Sequence, residues 1–440
     1  MAISLLLVLQ GCVPPQPNGG NSSANISNSI NSNTAAPKAE NTAVEPDQAV
    51  TLPVLNAMFS DEAFSPELKT QFQLTDEQIE KLKTAAQESV ANLDETEENT
   101  DGARSTRTAL QTSIQKVGEI IGQENSAKFF DFVKQRWSNT GEQVTQTSEP
   151  GKIPTDTRIV VNAPAYRMDL FKDGKLVKSY KVGIGYPEFP LPQGMRKAET
   201  IIFNPTWTPP DEPWVKGKVK AGETVKAGDK LNPLGPIKIP IGLPSLIHGG
   251  KSPAKLGTFA SHGCVGLTSP LIQDFSLELA KISGTELTQE DVRKFEKQKT
   301  ETKNFKLENS IPVELRYETI VVEDGKLKIF RDVYEKGTNT EENLRRVFDA
   351  YGVSFDSLPP EQKTKILEGL NQMAYNAQGI KVEATQGNGN TNINSNKTDN
   401  ENSNSGNGSV TRTLKGKKEI MFEIVELKGK GYPAPLNINK

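Results

Sequence analysis

The sequence is poor in the residue types that most often bind metals or form cross-links. Its 440 residues include two cysteines, Cys12 and Cys264, and two histidines, His248 and His262. Two cysteines allow one disulfide in an exported protein, but the surroundings of each indicate separate roles. No Cys-x-x-Cys or His-x-x-x-His spacing occurs, and a zinc site usually needs a fourth ligand. We therefore expect neither a disulfide framework nor a metal centre.

The sequence also lacks an excess of charge and a long apolar run. Lysine and arginine number 52 against 55 acidic residues, with no basic stripe, so nucleic acid is not expected as a partner. No apolar segment reaches the roughly 18 residues of a membrane-spanning helix. Hydrophobic residues make up 35% of the chain, which is low for a fully globular protein. The length therefore predicts two or three domains with solvated segments between them.

The first eleven residues predict an export signal. Residues 1–9 form a short apolar stretch of the kind found in signal peptides. The following Leu9-Gln10-Gly11-Cys12 resembles the lipobox of bacterial lipoproteins, which are cut before the cysteine and lipidated on its thiol. The resemblance implies a signal peptide over 1–11 and a membrane anchor at Cys12. An ordinary signal peptide with a chance cysteine is the alternative, because no Lys or Arg precedes the apolar stretch.

Two polar tracts predict disorder. Residues 12–50 are rich in Asn, Ser, Pro and Ala, and such a segment buries too little apolar surface to offset its chain entropy. We interpret this tract as a flexible tether. Residues 384–409 form a second tract of Asn, Ser and Gly, which indicates another disordered, low-complexity segment.

Residues 51–148 predict a small helical module. Thr75 to Gln78 has the pattern of a capping box, and apolar residues recur at helical spacing. Residues 336–383 predict a helical C-terminal extension, with a helix start near Leu358. The apolar positions of the module fall into three stripes: Ile79, Leu82 and Ala86; Leu110, Ile114, Val117 and Ile121; and Phe129, Phe130, Val133 and Trp137.

Residues 156–335 have the pattern of a mainly-β domain. Asp-Gly pairs at 173–174 and 324–325 stand between apolar runs, which is a strong signal for β-hairpins. Ser269 and Pro270 suit the cap and first position of a helix that runs to about residue 281. The tail, residues 410–440, contains a strand pattern over 419–427, expected to dock on this β-domain. The fold class is therefore multi-domain α+β, with helices before and after a mainly-β domain.

Both histidines lie within sixteen residues of Cys264, in the segments Ile-His-Gly-Gly at 247–250 and Ser-His-Gly-Cys at 261–264. A thiol attacks a carbonyl as the thiolate, and an imidazole can take the thiol proton and return it to the leaving group. Gly263 lets the backbone approach a substrate and present amide N–H groups to an oxyanion. This pattern favours a cysteine nucleophile. A zinc site on the same three side chains, or a structural cysteine beside two packed histidines, remains an alternative.

These segments resemble the signature of the L,D-transpeptidase catalytic domain. Asn-Pro-Thr-Trp-Thr-Pro-Pro at 204–210 and Asn-Pro-Leu-Gly at 232–235 belong to the same resemblance, which covers most of residues 156–335. It implies a mainly-β domain of that type, without a cofactor, that acts on the peptide stems of peptidoglycan. The family forms a thioester with a tetrapeptide stem, releases D-Ala, and passes the acyl group to an amine on a second stem.

The resemblance also implies roles for single residues. Cys264 is the nucleophile and His248 the general base, oriented by the Gly249 carbonyl. Many members carry arginine where this chain has Gly266, and residues 285–310 look like a polar insertion near the site. The resemblance further implies that Ser261 holds the nucleophile loop, that His262, Gly263 and Cys264 border the oxyanion hole, and that Trp207, Gly250 and Gly266 contact the substrate.

The same chemistry leaves several functions open. Water in place of the acceptor amine gives an L,D-carboxypeptidase, and a protein amine gives attachment of a lipoprotein to the wall. A non-catalytic wall-binding lipoprotein is a further alternative. We expect an exported protein, lipid-anchored at a membrane that faces the cell wall. The outer membrane is favoured where one exists, because Val13 rather than Asp follows Cys12. The sequence does not predict an oligomeric state.

Overall fold

The computed structural model describes most of the chain after residue 48. The predicted signal peptide, the lipidation site at Cys12 and the tract 384–409 lie outside the described residues, so each stays a prediction. Within the part that the structure describes, no helix is long and apolar enough to cross a bilayer. The described ranges are residues 49–91, 105–138, 151–209, 219–220, 222–242, 244–376, 381–382 and 416–438.

The N-terminal helices pack around one apolar core. The predicted capping box is present, since Thr75 Oγ1 accepts the Gln78 N–H at 3.2 Å and Gln78 Oε1 accepts the Thr75 N–H at 3.0 Å. All three predicted stripes contribute to this core. Ala49 and Val50 are also buried in it, so the tether predicted over 12–50 ends before residue 49. The helices are α1 (Leu52–Met58), α2 (Phe64–Phe72), α3 (Asp76–Ala91), α4 (Thr106–Ile121) and α5 (Gln123–Ser138).

An eight-stranded sheet forms the centre of the molecule. Its strand order is β3-β2-β1-β10-β5-β6-β7-β9. The pairs β1–β10 and β7–β9 are parallel, and the other neighbours are antiparallel. The strands are β1 (Arg158–Asn162), β2 (Arg167–Lys172), β3 (Lys175–Lys181), β5 (Gly194–Phe203), β6 (Ile237–Pro240), β7 (Leu246–His248), β9 (Val265–Gly266) and β10 (Lys303–Arg316), while β4 (Ile184–Gly185) and β8 (Phe259–Ser261) form a separate parallel pair.

The first predicted hairpin is confirmed, with β2 and β3 joined at Asp173 and Gly174. Both residues have positive φ, at 49° and 75°, as a two-residue hairpin turn requires. The helix predicted near Ser269 is α6 (Ser269–Ser283), but its cap is one residue earlier than expected. Thr268 Oγ1 accepts the Leu271 N–H at 3.4 Å, which makes Ser269 the first helical residue.

The polar segment 285–310 is not a continuous loop. It contains α7 (Gln289–Lys297), which begins with a capping box between Thr288 and Asp291. It then enters β10, where Lys303 pairs with Phe203 of β5. Val292 and Phe295 are buried in the core of the large sheet. The segment therefore supplies part of a central strand, and its interpretation as an insertion stays a prediction.

A second, smaller sheet lies in the C-terminal part of the chain. The other predicted hairpin is present as β11 (Ile320–Glu323) and β12 (Lys326–Phe330). Its apolar side packs with α8 (Glu341–Ala350) and α9 (Pro360–Met373) in a core of its own. The tail strand β13 (Glu419–Glu423) pairs with β12. It is shorter than the predicted 419–427, because residues 425–427 turn into a 3-10 helix.

Candidate active site

Two neighbouring strands bring the predicted nucleophile and base together. His248 ends β7, and Cys264 directly precedes β9. These strands are parallel, with His248 opposite Gly266. The register therefore places Cys264 and His248 two residues apart on adjacent strands, at one end of the strand order of the large sheet.

His248 is buried, with 3% of its surface exposed. Its Nδ1 lies 2.8 Å from the carbonyl oxygen of Gly249. Since a carbonyl only accepts, this hydrogen bond assigns the ring proton to Nδ1 and leaves the lone pair on Nε2. Gly249 has no room for a side chain, because a Cβ there would lie 2.6 Å from Ile272. The contact that the resemblance implied is thus present, on the nitrogen that suits a general base at Nε2.

The surroundings keep both catalytic candidates neutral at pH 7. Burial lowers the pKa of His248 to about 3, and the positive charge of Lys251 acts in the same direction, against backbone hydrogen bonds with Gly249 and Leu234. Burial raises the pKa of the Cys264 thiol, against the backbone of Leu246 and the charge of Lys251. A low-polarity environment disfavours whichever form carries charge. The resting pair is therefore a free thiol and a neutral imidazole, rather than a preformed thiolate and imidazolium.

Ser261 closes the loop that carries Cys264. Its hydroxyl donates to the Cys264 carbonyl at 2.5 Å and accepts the Cys264 N–H at 3.0 Å. Gly263 between them has φ +88°, a conformation that glycine adopts without strain. Ser261 thus holds the loop as the resemblance implied. The same contact engages the Cys264 amide, which was expected to face the oxyanion.

The imidazole of His262 packs between two aromatic rings. Its centroid lies 5.2 Å from that of Tyr186 and 4.8 Å from that of Phe189, both in edge contact. Such contacts fix the orientation of a ring. Among the described residues no cluster of three or more His, Cys, Asp and Glu side chains could hold a metal. Sequence reasoning missed Tyr186 and Phe189, since only the fold brings them to this loop.

The residues predicted to contact the substrate, Trp207, Gly250 and Gly266, lie in three different segments of the chain. Trp207 forms a β-bridge with Val225 in the long segment between β5 and β6, and its contact with substrate stays a prediction. Gly250 has φ +78° and packs against residues 233–235, where a Cβ would lie 2.7 Å from the Pro233 carbonyl oxygen. This close approach explains the glycine at 250. It holds the end of the His248 strand against the Asn-Pro-Leu-Gly segment.

Lys251 is a further residue of the site that sequence reasoning missed. A Cβ built on Gly266 would lie 2.8 Å from its Cγ, 3.1 Å from its Cε and 3.4 Å from its Cδ. The lysine chain therefore occupies the space that a side chain at 266 would fill. The signal was available in part, because Lys251 follows the His248 motif directly and arginine is missing at 266.

The comparisons with known proteins concern the same part of the chain. Residues 156–280 match the sequence profile of the YkuD family, the L,D-transpeptidase catalytic domain. The profile thus ends before residue 335, where the sequence resemblance was taken to end. A comparison with curated protein sequences found no match.

Several solved structures are similar to part of this chain. A mutant of the Enterococcus faecium L,D-transpeptidase is 17% identical over 37% of this chain and 50% of that chain, with a TM-score of 0.24. The catalytic domain from E. faecium is also 17% identical, over 38% of this chain and all of that one, at 0.24. An L,D-transpeptidase from Mycobacterium smegmatis is 13% identical over 37% and 58%, at 0.22. The chain spans about half the length of the first of these. Residues 156–280 therefore match the L,D-transpeptidase catalytic domain and belong to the mainly-β part of a larger α+β chain, whose central strand β10 lies beyond the match.

Proposed function

We propose that this chain is an L,D-transpeptidase that joins peptidoglycan peptide stems through a thioester on Cys264. The observation that carries the proposal is the placement of Cys264 and His248 two residues apart in the register of adjacent parallel strands, with Nδ1 of the imidazole held by the Gly249 carbonyl. This arrangement lies within the matched segment 156–280. A cysteine nucleophile, a base and a third group that orients the base are the parts that such acyl transfer needs.

The first half of the reaction forms the thioester. Sγ of Cys264 attacks the carbonyl between the diamino acid and the terminal D-Ala, while Nε2 of His248 takes the thiol proton. The tetrahedral intermediate then collapses, the C–N bond breaks, and the imidazolium returns the proton to the departing D-Ala amine. In the second half, His248 takes a proton from the acceptor amine, which attacks the thioester. The C–S bond breaks, and the departing thiolate takes the proton from the imidazolium.

The low pKa of His248 favours the second of its two proton transfers, whereas it makes the ring a weak base for the first. A neutral imidazole is present through almost the whole pH range in which the protein works, because its pKa is about 3. The imidazolium that forms during attack is a strong acid in this buried position. It therefore gives its proton readily to the leaving amine, which is a poor leaving group without it.

In this mechanism the backbone N–H groups of His262 and Gly263 stabilise the oxyanion of the tetrahedral intermediate. The Cys264 amide is engaged by Ser261 Oγ, so it is not the donor in this arrangement. The two rings that pack on His262 hold this turn in place before substrate arrives. Donors that are fixed in advance stabilise developing charge without reorganisation during the reaction.

The proposal is tested by the mass of the covalent intermediate. Incubation with a carbapenem, whose strained ring imitates the stem carbonyl, is expected to add one drug mass to the chain. Cys264→Ala should gain no drug mass. An adduct that persists in this variant would refute Cys264 as the nucleophile. His248→Ala should form the adduct about 10²–10⁴-fold more slowly, the usual contribution of a general base.

The products of tetrapeptide stems then identify the reaction. Loss of D-Ala with formation of cross-linked dimers is the expected result by mass analysis. Tripeptides without dimers would indicate hydrolysis, and therefore an L,D-carboxypeptidase. No conversion by a chain that still takes up the carbapenem would point to a different acyl donor.

A further inference from the structure

Lys251 and Gly266 share one space beside the catalytic pair. Gly266 lies opposite His248 in the β7–β9 ladder. The Lys251 N–H donates to the Leu267 carbonyl at 3.0 Å, which fixes the lysine backbone next to the same strand. The three atoms nearest to a Cβ on Gly266 are all carbons of the Lys251 side chain. The lysine therefore lies along Gly266, and any larger residue at 266 would displace it.

The charge of this lysine reaches both reacting groups. It contributes to the low pKa of His248 and acts to lower the pKa of Cys264. The cation acts in the same direction on both groups, although burial is the larger cause of the shift at each. Lys251 keeps partial exposure, so part of its side chain reaches solvent beside Gly266 rather than being enclosed in the sheet.

We propose that Lys251 binds the terminal carboxylate of the acyl-donor peptide, and that position 266 is glycine because the lysine chain occupies its side-chain space. The inference rests on the proposed function. A donor with a terminal D-Ala carries its carboxylate one residue beyond the bond that Cys264 attacks. An ammonium beside Cys264 and His248 is therefore within reach of that carboxylate. A charge-assisted hydrogen bond there selects donors that end in a free acid.

The experiment compares two donors that differ only in charge. Tetrapeptide with a free terminal carboxylate and the same peptide as its terminal amide are offered to the full chain, and kcat/KM is measured for each. The wild type is expected to prefer the acid by about tenfold or more, as for a hydrogen bond with a charged partner. Lys251→Met should lose this preference, because turnover of the acid falls more than turnover of the amide. Lys251→Arg should keep it in part.

Two further variants separate the proposal from general effects. Lys255→Met removes an exposed lysine of the same loop and should keep the preference. In Lys251→Ala with Gly266→Arg, an arginine enters the vacated space and should restore the preference for the acid. Equal rates for acid and amide in the wild type, or an equal fall for both in Lys251→Met, would overturn the role of Lys251. Absence of turnover and of the Cys264 adduct in the wild type would instead refute the proposed function.

Discussion

At the scale of single residues, the chemistry depends on how strongly His248 is buried. An exposed histidine has a pKa near 6.5, but burial and Lys251 lower that of His248 to about 3. Charging the ring in the folded state is therefore unfavourable. Between these two values the unfolded chain binds the proton and the folded chain does not. His248 accordingly lowers stability progressively as the pH falls from about 6.5 towards 3.

This burial predicts an unusual pH profile. The base fails only when His248 is protonated, so kcat/KM for acyl transfer should stay level as the pH falls from 7 to 5. An ordinary histidine would already lose most activity over this range. Steady-state kinetics between pH 4.5 and 8 measure this pH dependence of kcat/KM, and circular dichroism at each pH verifies that the chain is folded. An acidic limb centred near pH 6.5 would show that solvent reaches the ring.

The site could be predicted from sequence where it depends on rare residues in a motif. Cys264 and His248 stand out because the chain has two cysteines and two histidines. The partner of the imidazole, Gly249, is its direct neighbour in sequence. The position of Lys251 next to the His248 motif is visible in the sequence, but its contact with Gly266 could not be predicted, because it depends on the parallel register of β7 and β9. The hydrogen bond from the Cys264 N–H to Ser261 could not be predicted either, because a serine hydroxyl can bond to several nearby backbone groups.

At the scale of elements, the helical module contacts the segment that packs on the nucleophile loop. This segment, residues 186–189, follows β4, and the Tyr186 N–H donates to the Ser261 carbonyl at 2.8 Å. Thr106 Oγ1 of α4 donates to the Pro187 carbonyl at 2.8 Å. Thr51 Oγ1, which caps α1, donates to the Glu188 carbonyl at 2.6 Å. The module thus satisfies two buried backbone acceptors of the segment that carries Tyr186 and Phe189.

We expect these contacts to position the active site, and Thr106 tests this. Thr106→Val keeps the shape of the side chain but leaves the Pro187 carbonyl without its donor, which costs about 1–3 kcal/mol at a buried site. Relaxation of the segment should slow acylation of Cys264 severalfold. Thr108→Val, an exposed change on the same helix, is the matched control. A lower melting temperature with an unchanged acylation rate would show that Thr106 stabilises the fold without positioning the active site.

Helices and hairpins could be predicted where residues adjacent in sequence determine their ends and turns. The hairpin at Asp173 and Gly174 and the capping box at Thr75 depend on neighbouring residues alone. The first half of β10 was missed because it is polar and mostly exposed. Backbone pairing with β5 holds it in the sheet, with an irregularity between Lys306 and Ile311. A strand of this kind lacks alternating apolar residues, so the hydrophobic pattern of the sequence does not reveal it.

At the scale of the whole molecule, the C-terminal segment joins the two sheets. After β13 pairs with β12, the chain continues to Tyr432, whose hydroxyl donates to Asp169 of β2 at 3.0 Å. Arg167 pairs with Asp169 at 2.8 Å and with Glu323 of β11 at 2.6 Å. Farther on, Leu436 exchanges hydrogen bonds with Ser179 of β3. The segment therefore spans from the small sheet to the β3 end of the large one.

No pattern in the sequence predicts this arrangement. The expected docking of the tail strand on residues 156–335 is confirmed, because β13 pairs with β12, but its place in the smaller sheet was not predicted. The buried ion pairs are formed by residues far apart in the chain. Burial raises the pKa of Asp169 in spite of Arg167, Ser179 and Tyr432, which lower it. The carboxylate therefore depends on all of its partners to stay charged inside the protein.

Tyr432→Phe isolates one of these partners. The ring should keep its contact with Phe171, at 5.7 Å between centroids, while the hydrogen bond to Asp169 is lost. Removing a donor from a buried acceptor should lower the free energy of unfolding by about 1–3 kcal/mol. The midpoint of urea denaturation measures this. Tyr351→Phe is the control, because that hydroxyl makes only a long contact, 3.4 Å, with the Gly151 carbonyl.

The position of Tyr432 also makes the result specific. Asp169 lies on β2, next to the β3 end of the strand order, whereas His248 and Cys264 lie at the β9 end. Tyr432→Phe should therefore change stability and leave the rate of Cys264 acylation unaltered at temperatures where the chain is folded. A slower acylation with an unchanged denaturation midpoint would mean that the C-terminal segment acts on the active site. In that case the two sheets would be coupled in function as well as in packing.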